Sequence, residues 1–170
     1  MRLLLQRVSR ASVRVAGTEV ASIGAGLLVF VGVGHGDDAA TADAMARRTA
    51  ELRIFADEAG RTNRSLIDTG GSSLVVSQFT LQADTSRGRR PGFTAAAPGP
   101  LADELYQRFA GALRTAGVDD VQTGRFGAEM AVELVNDGPF TIWLDSADRG
   151  RAGTTGSTEM TGSTEGETGA

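Results

Sequence analysis

The densest chemistry in this chain lies in Leu74-Val75-Val76-Ser77-Gln78-Phe79-Thr80-Leu81, an apolar run that turns polar toward its end. In a regular strand Ser77 and Phe79 share one face while Gln78 and Thr80 share the other. All four converge on one ligand only if the strand ends or bends there. The alternative is a β-branched, hydroxyl-rich strand whose side chains satisfy nearby backbone groups, and spacing alone favours it. A second candidate is Asn136-Asp137-Gly138-Pro139 between two strand patterns. Asp-Gly ordinarily announces a tight hairpin, but Pro139 has no N–H to close the turn onto the Asn136 carbonyl. The loop must be more open. A Gly–Pro bond is cis at modest cost, which would aim carbonyls at an ammonium group, and an ordinary trans loop fits equally well. The third candidate is Arg87-Gly88-Arg89-Arg90-Pro91-Gly92-Phe93, basic residues closed by an aromatic ring, as a phosphate or a stacked base would require. A solvated loop is the commoner meaning of such a cluster. His35, flanked by glycines, has the chemistry of a general base, but no Ser-His-acid spacing accompanies it and it reads as incidental.

Composition narrows the classes further. The 170 residues suit one domain. With no Cys, disulfide frameworks, thiolate nucleophiles and Cys-based metal sites are excluded. The single His cannot build a multi-His metal site, and no ligand-spaced acidic motif is present, so neither metal nor cofactor is expected. All 17 basic residues are Arg, leaving planar forks for phosphate or carboxylate and no Lys for Schiff-base chemistry. The net charge of -4 argues against a general polyanion binder, so any nucleic-acid contact must be local. The longest apolar run, Gly26 to Val33, falls far short of the roughly 20 residues of a membrane span. The opening apolar residues, cut short by Gln6-Arg7, read as a strand and not as a leader.

The elements that must position these groups are legible in outline. Strands are expected at Arg2–Val8, Ala11–Val15, Gly26–Val33, Ser73–Leu81, Met130–Asn136 and Phe140–Leu144. One helix is expected from an Asp38 cap to about Phe55. Another starts at Pro100, places Leu101, Leu105, Phe109 and Leu113 on one stripe and stops at Gly117. Strands with two covering helices indicate an α/β or α+β layered domain over residues 1–148. From Arg149 the chain becomes Gly, Ser, Thr and Glu, with Thr-Gly-Ser-Thr-Glu occurring twice. Residues 149–170 are expected to be a disordered appendage.

Taken in order, several short motifs resemble one family. They are Gln6-Arg7-Val8 with Arg10-Ala11-Ser12-Val13, Gly24-Ala25-Gly26-Leu27-Leu28, Arg53-Ile54-Phe55, Ser77-Gln78-Phe79-Thr80-Leu81, Arg87-Gly88-Arg89-Arg90-Pro91, Thr123-Gly124-Arg125-Phe126 and Asn136-Asp137-Gly138-Pro139. Each is weak alone, and the ordered set is specific. Over residues 1 to about 145 the chain is similar to the bacterial D-aminoacyl-tRNA deacylases, also called D-tyrosyl-tRNA deacylases. It departs at Phe140, where the family usually has Val, and in its long tail.

The resemblance implies a cytoplasmic homodimer of α/β class, a three-layer β/β/α arrangement of mixed sheets with two covering helices, its active sites at the dimer interface. It implies a carboxylic ester hydrolase that releases D-amino acid from D-aminoacyl-tRNA, and that accepts mischarged glycyl-tRNA. Ser77, Gln78, Phe79 and Thr80 would form the catalytic pocket floor, with backbone N–H groups near Phe79 and Thr80 orienting the ester. Gly138 and Pro139, joined by a cis bond, would reach into the partner's pocket, hold the α-ammonium group and exclude L-residues. Arg7 would brace that loop, Phe93 would lie beside the terminal adenine, and Arg87, Arg89 and Arg90 would contact the acceptor stem. Thr80 as nucleophile ranks below water assisted by the tRNA 2′-hydroxyl. A non-catalytic tRNA- or nucleic-acid-binding relative is the principal alternative. A Ser or Thr esterase using His35 and a purely structural dimer are the others.

Overall fold

The computed structural model describes residues 1–150, the last two by backbone alone, so the expected 149–170 appendage lies almost wholly outside the described residues. The chain opens with β1 (Arg2–Val15), β2 (Thr18–Ile23) and β3 (Gly26–Gly32). Ala16 and Gly17 both take positive φ between β1 and β2, as a two-residue primed turn demands. Helix α1 (Ala39–Glu51) follows, then the small hairpin β4 (Phe55–Ala56) and β5 (Thr62–Arg64), the one-turn α2 (Leu66–Thr69) and β6 (Ser72–Ser77). A 3-10 turn at Phe79–Gln82, helix α3 (Gly99–Thr115), β7 (Val121–Thr123), β8 (Met130–Asp145) and a 3-10 turn at Ser146–Gly150 complete the described residues.

The sheet is mixed, in the order β2-β1-β3-β6-β7, with β8 also paired to β1. β6 runs parallel to β3 and to β7, while β1 is antiparallel to β2, β3 and β8. Parallel strands buried on both faces should be continuously apolar, and β3 is, as is the Leu74–Val76 centre of β6. Leu27, Val29, Val31 and Val75 point into a core shared with α1 and α3. Leu28, Leu74 and Val76 point the other way, into a second core closed by Val13, Ala21 and Ile23 of β1 and β2.

Both long helices were foreseen, and their ends follow from identifiable groups. The Asp38 carboxylate accepts from the Thr41 backbone N–H at 2.8 Å and starts α1. These bonds to Thr41 hold its carboxyl below the usual carboxylate range. α1 stops at Glu51, short of the expected Phe55, because the next residues are claimed elsewhere. Arg53 Nε donates to the Asn63 carbonyl at 2.6 Å, and the Ile54 carbonyl accepts from Arg7. α3 begins one residue before Pro100 and ends where Gly117 takes φ 105, with Leu105, Phe109 and Leu113 of the expected stripe buried and Leu101 only half-buried. Among the described residues the four-residue α2 corrects the expectation of two helices to three; its Ser65 and Asp68 form a reciprocal capping box.

Two expected strand pairs are single strands. Arg2–Val8 and Ala11–Val15 are one strand because β8 pairs along both halves, while β3 pairs the first half and β2 the second. Met130–Asn136 and Phe140–Leu144 likewise join as β8, with the intervening residues forming a bulge. The expected Ser73–Leu81 strand ends early, at Ser77, with consequences for the site.

Candidate active site

β6 keeps its parallel register with β3 as far as Ser77 opposite Val31. The chain then turns at Gln78 (φ -145, ψ 83) into the 3-10 turn. Three contacts hold the turn against the end of β3. The Gln78 N–H donates to the Val31 carbonyl at 2.8 Å, the buried Gln82 amide donates to the Gly32 carbonyl at 2.8 Å, and Arg2 Nη1 donates to the Leu81 carbonyl at 3.0 Å. Gly32 is the residue that permits this approach. A Cβ there would stand 2.7 Å from Leu81 Cβ and 3.0 Å from the Gln78 carbonyl oxygen.

Because the strand ends, the alternation of faces no longer separates the polar residues. Ser77, Gln78 and Phe79 together line a cavity of about 500 Å³ that Ala97, Phe126 and Met130 also line. Thr80 sits outside the lining, exposed, and its hydroxyl accepts from the Gln78 side-chain amide. The Phe79 ring, 55 % exposed, meets Phe93 edge-on with centroids 5.1 Å apart. The first N–H groups of a helical turn have no acceptor within it, which leaves those of Phe79 and Thr80 without a partner in the turn. Behind the cavity, the buried Tyr106 hydroxyl donates to the Val75 carbonyl at 2.9 Å, and burial pushes its pKa up to about 12. It remains a donor at any working pH.

The segment from Asp84 to Gly92 is closed at its base by two backbone hydrogen bonds of 2.8 Å between those residues. Asp84 also accepts from Ser86, and these bonds keep its carboxyl below the usual range. Arg87, Arg89 and Arg90 are exposed on this excursion, next in the chain to Phe93.

The Asn136–Pro139 segment is built by a register jump. Val8 pairs with Asn136 and Gln6 with Thr141, so Arg7 alone faces Asp137, Gly138, Pro139 and Phe140. Its guanidinium takes up the groups left without ladder partners. Nε donates to the Asp137 carbonyl at 3.1 Å and contacts the Asp137 carboxylate at 2.8 Å; Nη2 donates to the Gly138 carbonyl at 3.2 Å and Nη1 to the Ile54 carbonyl at 2.6 Å. Asn136 pinches the base of the bulge, its amide donating to the carbonyls of Arg7 at 2.7 Å and Phe140 at 3.2 Å. The Gly138-Pro139 bond is cis, and both residues are exposed.

Within one chain the site residues form two groups. Ser77, Gln78 and Phe79 share the cavity with Thr80 and Phe93 beside it, whereas Gly138 and Pro139 are not among the residues that line it. His35 lines a different depression with Met1, Asp37 and Asp145, away from the Ser77 cavity, which removes the basis for a Ser-His esterase. Gln82 and Asn136 were not singled out from sequence as positioning groups. Asn136 carried a signal, a turn-forming residue beginning a segment that cannot close as a hairpin. Gln82 carried none, being one polar residue in a mixed stretch.

The fold and the cavity define a mixed α/β domain in which a central parallel strand delivers a polar turn to an apolar pocket. A family model described as D-Tyr-tRNA(Tyr) deacylase matches residues 4–145. The chain belongs to that family. It is 64% identical over 148 residues to a D-aminoacyl-tRNA deacylase of Thermomicrobium roseum, covering 87% of this chain and 96% of that protein. A D-aminoacyl-tRNA deacylase of a Roseiflexus species is 62% identical over 147 residues, 86% of this chain and 94% of its own. A solved structure described as a c-Myc DNA unwinding element binding protein is 39% identical with a TM-score of 0.81, covering 85% of this chain and 98% of its own. A second, described as a probable eukaryotic D-amino acid tRNA deacylase, is 20% identical with a TM-score of 0.73 over 84% of this chain and 97% of its own, a likeness of fold.

Proposed function

We propose that this chain is a D-aminoacyl-tRNA deacylase, a hydrolase that cleaves the ester between a D-amino acid and the terminal adenosine of tRNA. Water adds to the ester carbonyl and the acyl–oxygen bond breaks. The amino acid leaves as a carboxylate, and the ribose oxygen takes a proton. The observation that carries the reading is the end of β6 at Ser77, which brings Ser77, Gln78 and Phe79 to one cavity. An aminoacyl ester is already labile, so a site need supply orientation and a few donors, each typically worth about 10²–10³ in rate. The test is release of amino acid from D-Tyr-tRNA beside L-Tyr-tRNA.

The active unit is a homodimer with β/β/α layering, a layering supported by the two cores on opposite faces of β3 and β6. The exposed Gly138-Pro139 bulge cannot serve its own chain's cavity as it stands, and a second copy would supply it. Phe79, Val135 and Trp143 are large apolar residues left exposed, as a surface awaiting a partner requires. In the assembled site the Gly138-Pro139 carbonyls hold the α-ammonium group, and an L-side chain is driven into the bulge while a D-side chain points to open space. Glycyl-tRNA, with no side chain to exclude, passes the same filter. The enzyme works in the cytoplasm, where charged tRNA is found; among the described residues no helix is long and apolar enough to cross a membrane.

Thr80 orients the site without acting as nucleophile, since its hydroxyl is engaged by Gln78 and stands outside the cavity lining. Thr80→Ala is expected to keep D-Tyr-tRNA turnover within about tenfold of wild type, the scale of one neutral hydrogen bond. Abolished turnover would make Thr80 the nucleophile. Arg87, Arg89 and Arg90 touch the acceptor-stem backbone, so affinity for tRNA is expected to fall as salt rises, and less steeply in the triple Ala variant. A curve flat in salt for the wild type would remove them from the interface. The non-catalytic nucleic-acid-binding alternative is favoured by one observation, the DNA-element-binding description of a structure with a TM-score of 0.81. It predicts tRNA binding with release of amino acid at the spontaneous rate.

A further inference from the structure

Phe140 stands two residues beyond Gly138, and its half-buried ring packs against the main core. The Arg7 guanidinium carbon lies over that ring, 4.3 Å from its centroid, and over the Phe55 ring at 6.0 Å. The hydrogen bonds to Asp137, Gly138 and Ile54 hold the edges of the guanidinium, and they do little against displacement out of its plane. A ring seated on its face resists that displacement and also stabilises the cation, more strongly where water is excluded. Only 12% of the Arg7 side chain is exposed. Asn136 fixes the Phe140 carbonyl at 3.2 Å, so ring, guanidinium and Gly138 carbonyl form one closed circuit.

We propose that Phe140 is a positioning residue for stereochemical selection, its ring clamping the face of Arg7 and thereby setting the direction of the Gly138 carbonyl. The inference rests on the reading of Gly138-Pro139 as the element that excludes L-residues. Val or Leu at this position would keep the apolar packing and lose the π face. Tyr would keep both, with its hydroxyl free to reach solvent from a half-buried ring.

The experiment compares wild type, Phe140→Leu and Phe140→Tyr for initial rates on D-Tyr-tRNA and L-Tyr-tRNA, with a thermal melt of each protein. The ratio of D to L rates is expected to fall about tenfold in Phe140→Leu, and to stay within about twofold of wild type in Phe140→Tyr, from the size of a partly desolvated cation–π contact. A wild-type ratio in Phe140→Leu would overturn the proposal whatever its melting temperature, and so would a ratio that falls only through slower D-release with L-release still at the spontaneous rate, which is what a packing role alone produces. A ratio equally reduced in Phe140→Tyr would also overturn it, since the ring would then not be the operative feature. Should Phe140→Leu lose its cooperative melt, Phe140→Met carries the same expectation. A wild-type ratio near one would overturn the reading of the Gly138-Pro139 bulge, and this inference with it.

Discussion

Arg7→Ala is expected to lower D-Tyr-tRNA turnover by about 10²-fold and to erase most of the preference for the D-substrate, while the protein still melts cooperatively. The side chain bonds the Ile54 carbonyl, pairs with the Asp137 carboxylate and bonds the carbonyls of Asp137 and Gly138, which the register jump between Val8 and Gln6 leaves without ladder partners. Removing it leaves those acceptors to water and frees the bulge to move. A displacement of about 1 Å in a positioning group is enough for a loss of about 10² in rate. The ion pair itself contributes little stability, since the Asp137 side chain is 57% exposed and screened by solvent. Arg7→Lys should fail nearly as badly, because an ammonium group cannot present the planar fork that spans these acceptors. Steady-state rates on both substrates check this. Turnover and selectivity unchanged in Arg7→Ala would show that the bulge holds itself.

The second large effect is expected from Gly32→Ala, far smaller in chemistry and acting on the other half of the site. The added methyl would sit 2.7 Å from Leu81 Cβ and 3.0 Å from the Gln78 carbonyl, and neither atom is the free end of a flexible chain. The 3-10 turn must move away, stretching the Gln82 and Arg2 hydrogen bonds that hold it. Forcing a methyl into a packed site costs about 1–3 kcal/mol. For a domain of this size that corresponds to a melting temperature lower by about 2–12 °C. Turnover should fall by about tenfold or more, because Gln78 and Phe79 travel with the turn away from Ser77 at the end of β6. Gly36→Ala is the matched control: nothing lies within 4 Å of a Cβ there, so both melt and turnover should stay at wild type. Equal behaviour of the two variants would mean that the close approach at Gly32 does not hold the site.

What the sequence revealed and what it concealed divides along physical lines. The stripe Leu105, Phe109 and Leu113, the Asp38 cap and the Gly117 stop are local signals with local causes, and each has its expected place. The strand β2 leaves no legible alternation, because only Ala21 and Ile23 of Thr18–Ile23 are buried. β6 was extended past Ser77 since Phe79 and Leu81 continue a strand-like pattern; what stops it is the bonding of Gln78, Leu81 and Gln82 to β3 and β1, which is invisible along the chain. The apparent gap in β8 came from Asp137-Gly138-Pro139, correctly refused as a tight hairpin. That it is a bulge opposite one arginine depends on the pairing of β1, well over 100 residues away in sequence. For the site, Ser77, Gln78 and Phe79 were legible as a polar end to an apolar run, and their convergence required the strand to stop. The residues themselves suggest an open Gly138-Pro139 loop whose carbonyls suit an ammonium group, whereas its place in a partner's pocket and the bracing part of Arg7 are implied by the resemblance alone.

The central claim is that this chain hydrolyses D-aminoacyl-tRNA and refuses the L-form. Its most direct test is a time course of amino-acid release from D-Tyr-tRNA and L-Tyr-tRNA, side by side, with the wild-type protein at catalytic concentration and a protein-free control for spontaneous hydrolysis. The account predicts rapid release from the D-substrate and release at the spontaneous rate from the L-substrate. Release from neither above the control would contradict the assignment and leave a nucleic-acid-binding role in front, and equal release from both would contradict selection at the Gly138-Pro139 bulge.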